Sequence, residues 1–194
     1  MINYKSGHQN ILFLNRFVNS PNTIGSIIPS SLYLAGKMVR AEDLKSCKSV
    51  VEMGAGTGVF TGRLLEKKPA GCSLYVFEKD LKLKDLLLRK FPDIRLFGEA
   101  AQVKTLCERG EIEQPDLIVS GLPFAVFSSS LRNKILRGIY EVLPEGGKFM
   151  TFQYSLNLLK ELKSMYKSVE LDFELRNIPP AFIYRCTKGG SPRE

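Results

Sequence analysis

The 194-residue chain is 44% hydrophobic and 25% charged, which suits one globular domain with a sizeable core and a small extension. No apolar run approaches the roughly 18–20 residues that span a bilayer, and the opening "MINYKSGHQN" is too polar for a secretory signal, so a cytoplasmic protein is expected. Four scattered cysteines (Cys47, Cys72, Cys107, Cys186) and one histidine, His8, offer almost nothing for zinc sites or for Ser-His-Asp or Cys-His catalysis, whereas a formal net charge of +8 predicts attraction to nucleic acid or an anionic membrane surface.

Residues 1–40 stand apart. "NILFLNRFVN" (10–19) reads as a short amphipathic helix, "SPNTIGSIIPSS" (20–31) as a loop rich in turn formers, and "SLYLAGKMV" (31–39) as a second helix. From Ser49 onward, strands and helices alternate. "SVVEM" (49–53) is a strand, "GVFTGRLLEKK" (58–68) a helix, "SLYVFE" (73–78) a strand, and "KDLKLKDLLLRKF" (79–91) an amphipathic helix with its lysines outward. "DIRLF" (93–97) is a third strand, followed by a short helix near "AAQVKTLCERG" (100–110). "PDLIVSGLPF" (115–124) is a fourth strand with a loop. A helix over 129–143 stops at "PEGG". "KFMTFQY" (148–154) is a fifth strand and "LNLLKELKSMY" (156–166) a helix. "SVELDFELR" (168–176) and "AFIYRC" (181–186) then follow as two strands joined by "NIPP". This order predicts an α/β fold: a mostly parallel sheet with helices on both faces and an antiparallel strand added late.

The densest chemical signal is "VVEMGAGTG" (50–58), a strand running into a glycine turn that opens a helix. A phosphate-cradling loop would need G-x-x-x-x-G-K-[ST], and no Lys-Ser or Lys-Thr follows. A dinucleotide fingerprint would need G-x-G-x-x-G, but its third glycine falls on Val59 or Thr61. The spacing is G-x-G-x-G, with Glu52 just before it. A diphosphate disfavours a nearby carboxylate, whereas a ligand carrying hydroxyls and positive charge suits one. S-adenosylmethionine is such a ligand. Glu78 ends the next strand, where a carboxylate can accept from ribose hydroxyls, and Glu99 follows the third strand, where the adenine edge would lie. Acidic groups at successive strand ends fit the crevice rule for open parallel sheets. The candidate cofactor residues are Glu52, Gly54, Ala55, Gly56, Thr57, Gly58, Glu78, Lys79, Glu99, Ala100 and Ser120.

On these residues the chain resembles the class I S-adenosylmethionine-dependent methyltransferases over roughly residues 45–188. The resemblance implies a Rossmann-like, seven-stranded sheet with an antiparallel last strand, in-line displacement at a methyl carbon, and two regions: an N-terminal helical cap (1–40) and the cofactor-binding domain (41–194). "SGLPFAVF" (120–127) resembles the Asn/Asp-x-Pro-Phe/Tyr loop of amino-group methyltransferases, including the ribosomal RNA adenine N6-dimethylating family. Aligning Leu-Pro-Phe puts Gly121 where that family holds an amide, so the amide acceptor is missing. "GSIIPSSLYLAGKM" and "RNIPPAFIYR" are similar to segments of the bacterial phospholipid N-methyltransferases, which have about this length.

The resemblance therefore implies methylation of a phospholipid headgroup amine of the phosphatidylethanolamine type. A ribosomal RNA adenine is the first alternative and a small-molecule or peptide amine the second. A cofactor-holding module without catalysis is a reading from another class, and the intact Glu52, Gly54, Gly56 and Glu78 speak against it. Candidate catalytic residues are Ser120, Gly121, Leu122, Phe124 and Tyr33. Aromatic rings, also including Tyr154, Phe182 and Tyr184, favour a cationic ammonium or sulfonium. Ser30 and Ser31 suit the methionine carboxylate, a lipid phosphate or a helix N-cap. No metal is expected. The segment "KSGHQNILFLNRFV" (5–18) combines an apolar face with basic flanks, as an interfacial helix on the inner face of the membrane requires, or as a cap over the cofactor pocket would.

Overall fold

The computed structural model describes residues 32–189. The expected 10–19 helix, the 20–31 loop with Ser30 and Ser31, and the interfacial segment 5–18 lie outside the described residues. A helix through 32–38 (α1) and a one-turn helix Ala41–Leu44 (α2) lead into β1 Ser49–Met53, α3 Val59–Lys67, β2 Ser73–Phe77, α4 Leu81–Lys90 and β3 Arg95–Phe97. A 3-10 turn, Ala100–Gln102, then runs into α5 Val103–Glu108, followed by β4 Leu117–Ser120, a second 3-10 turn Phe124–Val126, and α6 Ser129–Val142. The chain closes with β5 Lys148–Gln153, α7 Leu159–Met165, β6 Ser168–Glu174 and β7 Ala181–Thr187.

The seven strands form one sheet in the order β3-β2-β1-β4-β5-β7-β6. Pairings from β3 through β5 are parallel, and β7 runs antiparallel to both β5 and β6, as the helix-free closing pair predicts. Every residue of β1 and β4 is buried, because helices cover both faces of these central strands. Strand alternation sends Val51 and Met53 into a core under α5, α6 and α7. Val50 joins the core on the other face, under α1, α3 and α4. Asp80 caps α4 by accepting the Leu83 N–H at 3.0 Å, and Ser128 caps α6 by accepting that of Leu131 at 3.3 Å. The expected helix over 129–143 stops where foretold, with Gly146 at φ 77° beyond it.

Register fixes what meets at the working edge. Met53 lies opposite Phe77 and Ser120, Ser120 opposite Thr151, Gln153 opposite Phe182, and Glu174 opposite Ala181. The last residues of the parallel strands and the first residue of β7 therefore share one edge. Strand β6 is two-faced. Asp172 and Glu174 turn toward α1, where Lys37 lies 3.2 and 3.7 Å from them and Arg40 lies 3.4 Å from Asp172. Leu171 and Phe173 turn the other way. Among the described residues, no helix is long and apolar enough to cross a membrane.

Candidate active site

The glycine turn is an extension of the sheet. The Gly54 and Ala55 N–H groups both donate to the Phe77 carbonyl, at 2.8 and 3.2 Å, so the chain leaving β1 still rides on β2. Gly54, Gly56 and Gly58 all have positive φ. Gly56 carries the argument furthest. Its φ is +57°, and a Cβ placed there would meet no atom within 4 Å, so the turn is open on that side. Glu78 braces the turn from β2. One of its carboxylate oxygens accepts the Gly56 N–H at 2.8 Å, and the other accepts the Asp80 N–H at 2.9 Å. An ionised carboxylate has about four acceptor positions, so two remain.

Glu52 sits on the same face of β1 as Val50 and is 1% exposed. Neither carboxylate oxygen has a hydrogen-bond partner, and the hydroxyl of Thr61, reaching over from α3, is also unpartnered. Burial raises the Glu52 pKa to about 8; the Thr61 hydroxyl and N–H, near the carboxyl but short of hydrogen-bond geometry, oppose the shift, and the nearby charge of Glu78 adds to it. An orphaned buried carboxyl beside a glycine turn is costly to hold unless a ligand completes it.

The loop after β4 closes against the β1 turn. The Gly121 N–H donates to the Met53 carbonyl at 2.8 Å, and a Cβ at Gly121 would lie 2.8 Å from the Gly54 carbonyl oxygen. No side chain fits at 121 while these two turns touch. This is the physical reason why an amide is missing there. Among the described residues, no group donates to the Gly121 carbonyl. Ser120 is fully buried and its hydroxyl accepts the Leu122 N–H at 3.2 Å. Phe124 is 1% exposed and makes edge contacts with Phe127 and Phe149 inside the core.

The remaining candidates lie farther out. Lys79 and Glu99 form an exposed 3.0 Å ion pair at the ends of β2 and β3, and Ala100 is buried beside them. Thr57 presents its carbonyl to Lys90. Tyr33 on α1 is half exposed, with the Arg176 guanidinium 4.1 Å from its ring centre. A groove of about 480 Å³ is lined by Tyr33 and Gly36 of α1, Gly58 of the glycine turn, and Gly62 and Arg63 of α3. The structure thus brings Glu52, Gly54, Gly56, Glu78, Ser120 and Gly121 to one edge, lines a groove with Tyr33 and Gly58, and leaves Phe124 in the core.

Gln153 lies at the same edge, and the sequence reading passed over it. It is 5% exposed at the end of β5, and its amide N–H donates to the Leu122 carbonyl at 3.1 Å, which ties the β4 loop to β5. The signal was there: a polar residue ends the otherwise apolar strand "KFMTFQY". The four thiols are free, and burial pushes the pKa of each upward, so none is a poised thiolate. Among the described residues no cluster suits a metal ion.

No protein-family model matches this sequence. The chain is 32% identical over 187 residues to the ornithine lipid N-methyltransferase of Singulisphaera acidiphila, and the similarity spans 90% of this chain and 94% of that protein. A shorter similarity, 30% over 121 residues, is to ribosomal RNA small subunit methyltransferase A of Pelagibacter ubique; it spans 62% of this chain but 44% of that protein. In three dimensions the chain is similar to N-methyltransferase NodS from Bradyrhizobium japonicum in complex with S-adenosyl-L-homocysteine. The match has a TM-score of 0.69 over 95% of this chain and 97% of that one; at 14% identity it speaks to the fold alone.

Proposed function

Since the chain belongs to the ornithine lipid N-methyltransferase family of S-adenosylmethionine-dependent enzymes, we propose that it methylates the amine of a lipid headgroup, working as a peripheral protein on the cytoplasmic face of a membrane. The observation that carries this reading is a similarity to a lipid-acting relative that runs nearly the full length of both chains. The similarity to an RNA-acting relative ends within 44% of that protein.

The residues at the crevice edge fit the cofactor. Glu52 is a buried carboxyl without a partner, Gly56 leaves open space, and Glu78 keeps spare acceptor positions. When bound, S-adenosylmethionine supplies an electrophilic methyl group on a sulfonium, which an amine nitrogen takes by in-line displacement with loss of one proton. Glu52 would balance the positive charge, and Glu78 would accept from the ribose hydroxyls. Gly54 through Gly58 would give close backbone approach, while Lys79, Glu99 and Ala100 would border the adenine. On the acceptor side, the free Gly121 carbonyl would accept an amine N–H and so orient the nitrogen lone pair, with Ser120, Leu122 and Gln153 holding that loop in register. Phe124 would act from within the core by fixing the loop, and Tyr33 by positioning Arg176.

Gly56→Val tests the cofactor placement. A β-branched residue at φ +57° costs roughly 1–3 kcal/mol of stability, and its side chain would occupy the open side of the turn. The expected result is a folded protein whose cofactor affinity, measured calorimetrically, falls at least a hundredfold. Retained affinity would mean that the ligand does not sit on this turn.

The acceptor is tested with labelled cofactor and three substrates: vesicles containing ornithine lipid, vesicles containing phosphatidylethanolamine, and ribosomal RNA. Label is expected in the organic extract of a vesicle sample, with ornithine lipid the better substrate. Label confined to the RNA would overturn the lipid reading.

A further inference from the structure

Strand β6 and its turn into β7 carry large apolar side chains that the described residues leave well exposed, although Phe173 packs on Phe182 of β7. Leu171 and Phe173, on the face opposite Asp172 and Glu174, are 43% and 38% exposed, and Leu175 and Ile178 in the turn are each 71% exposed. Leu156, after β5, is 45% exposed. It follows Ser155, whose carbonyl accepts the hydroxyl of Tyr184, the cross-strand partner of Leu171. These five side chains therefore form one rim. Register sets Leu171 level with Tyr184 and Thr151, and Phe173 level with Phe182 and Gln153, so the strand part of the rim reaches the crevice edge and the turn holding Leu175 and Ile178 extends past Ala181.

Beside the rim, Lys160 and Lys163 on α7 are exposed and neither is ion-paired with a described residue, while Glu161 between them is paired with Arg132. Arg176 stands between Leu175 and Ile178. Two bonds of 3.0 and 3.2 Å to buried Glu174 hold its guanidinium over the Tyr33 ring, on the α1 side of the turn. An exposed apolar patch of this kind marks a binding surface. A partner that is apolar inside and anionic outside would accept the leucines, the isoleucine and the phenylalanine at the acyl boundary and the cations at headgroup level. A second copy fits less well, because a two-fold interface would set the lysines against one another.

We propose that the rim formed by Leu156, Leu171, Phe173, Leu175 and Ile178 docks the protein on an anionic bilayer and holds the acceptor side of the crevice against the headgroups. The inference rests on the lipid reading for its reason, but its test does not. The double variant Leu175→Asp/Ile178→Asp is compared with wild type for co-sedimentation with vesicles containing anionic phospholipid. Turnover of a short-chain, water-soluble amino lipid and the oligomeric state are measured alongside. Vesicle binding is expected to fall at least tenfold, with soluble-substrate turnover unchanged. Three results would overturn the docking face: wild type that ignores the vesicles, a variant that binds them as well as wild type does, or a wild-type dimer that the variant splits without loss of vesicle binding. Wild type that binds vesicles through the rim but methylates no lipid would overturn the acceptor reading alone.

Discussion

Glu52→Gln is expected to flatten the pH dependence of stability of the ligand-free protein between pH 5 and 8, and to weaken S-adenosylmethionine binding at least tenfold. The unfolded carboxyl ionises near its ordinary value of 4.5, whereas in the fold burial holds the pKa at about 8. Between those values the folded state binds the extra proton. The neutral carboxyl's contribution is therefore complete below pH 4.5 and is lost as pH rises through 8, a span on the order of a few kcal/mol. Glutamine keeps the shape without the titration. Its own buried amide costs about 1–3 kcal/mol, equally at every pH, so the slope is diagnostic and the absolute melting temperature is not. A cationic ligand favours the ionised form, so wild-type affinity should climb with pH toward 8 while that of the glutamine variant stays level. Thermal unfolding at pH 5, 7 and 8.5, with and without cofactor, reads both effects. Equal slopes in the two proteins would show that Glu52 does not titrate in this range.

Gly121→Ala is expected to cost about 1–3 kcal/mol of stability, the range for overpacking, and to reduce transfer far more than that loss implies. The new Cβ would fall 2.8 Å from the Gly54 carbonyl oxygen. That neighbour is backbone and cannot rotate away, so the β4 loop must lift from the β1 turn and break the bond from Gly121 N–H to the Met53 carbonyl. Both halves of the crevice then move. Gly121→Asn, which supplies the amide implied by the loop resemblance, should fail for the same reason rather than create an RNA methylase. Melting temperature, cofactor affinity and turnover with a lipid amine would be measured. A wild-type melting temperature and turnover in the alanine variant would refute the close approach.

How far the molecule could be read from its sequence depends on how local each signal is. The glycine turn and Glu52 were legible because they lie within "VVEMGAGTG", and the alternation of strands and helices gave the sheet and its antiparallel β7. Gly121 was read as a missing amide. Its cause, contact with the Gly54 carbonyl, joins residues far apart in the chain and exists only in three dimensions. The loop motif suggested that Phe124 faces a ligand, but the core beside Phe149 takes the ring instead. "VELDFEL" alternates acids with apolar residues, so the two faces of β6 were written in the sequence. What lies opposite each face was not: Lys37 and Arg40 meet the acids, while Phe173 packs on Phe182 of β7, ring centres 4.7 Å apart, and stays exposed beside Leu171.

The reversed direction of β7 has an evolutionary consequence. β7 starts at the working edge and runs back from it, adding a wall beside β5. In our reading, donor-holding groups hang from β1 and β2, while the acceptor-side Gly121 and Gln153 hang from β4 and β5. Mutations that retune the modified partner can accumulate in the later part of the chain, while the earlier part keeps its grip on the methyl source.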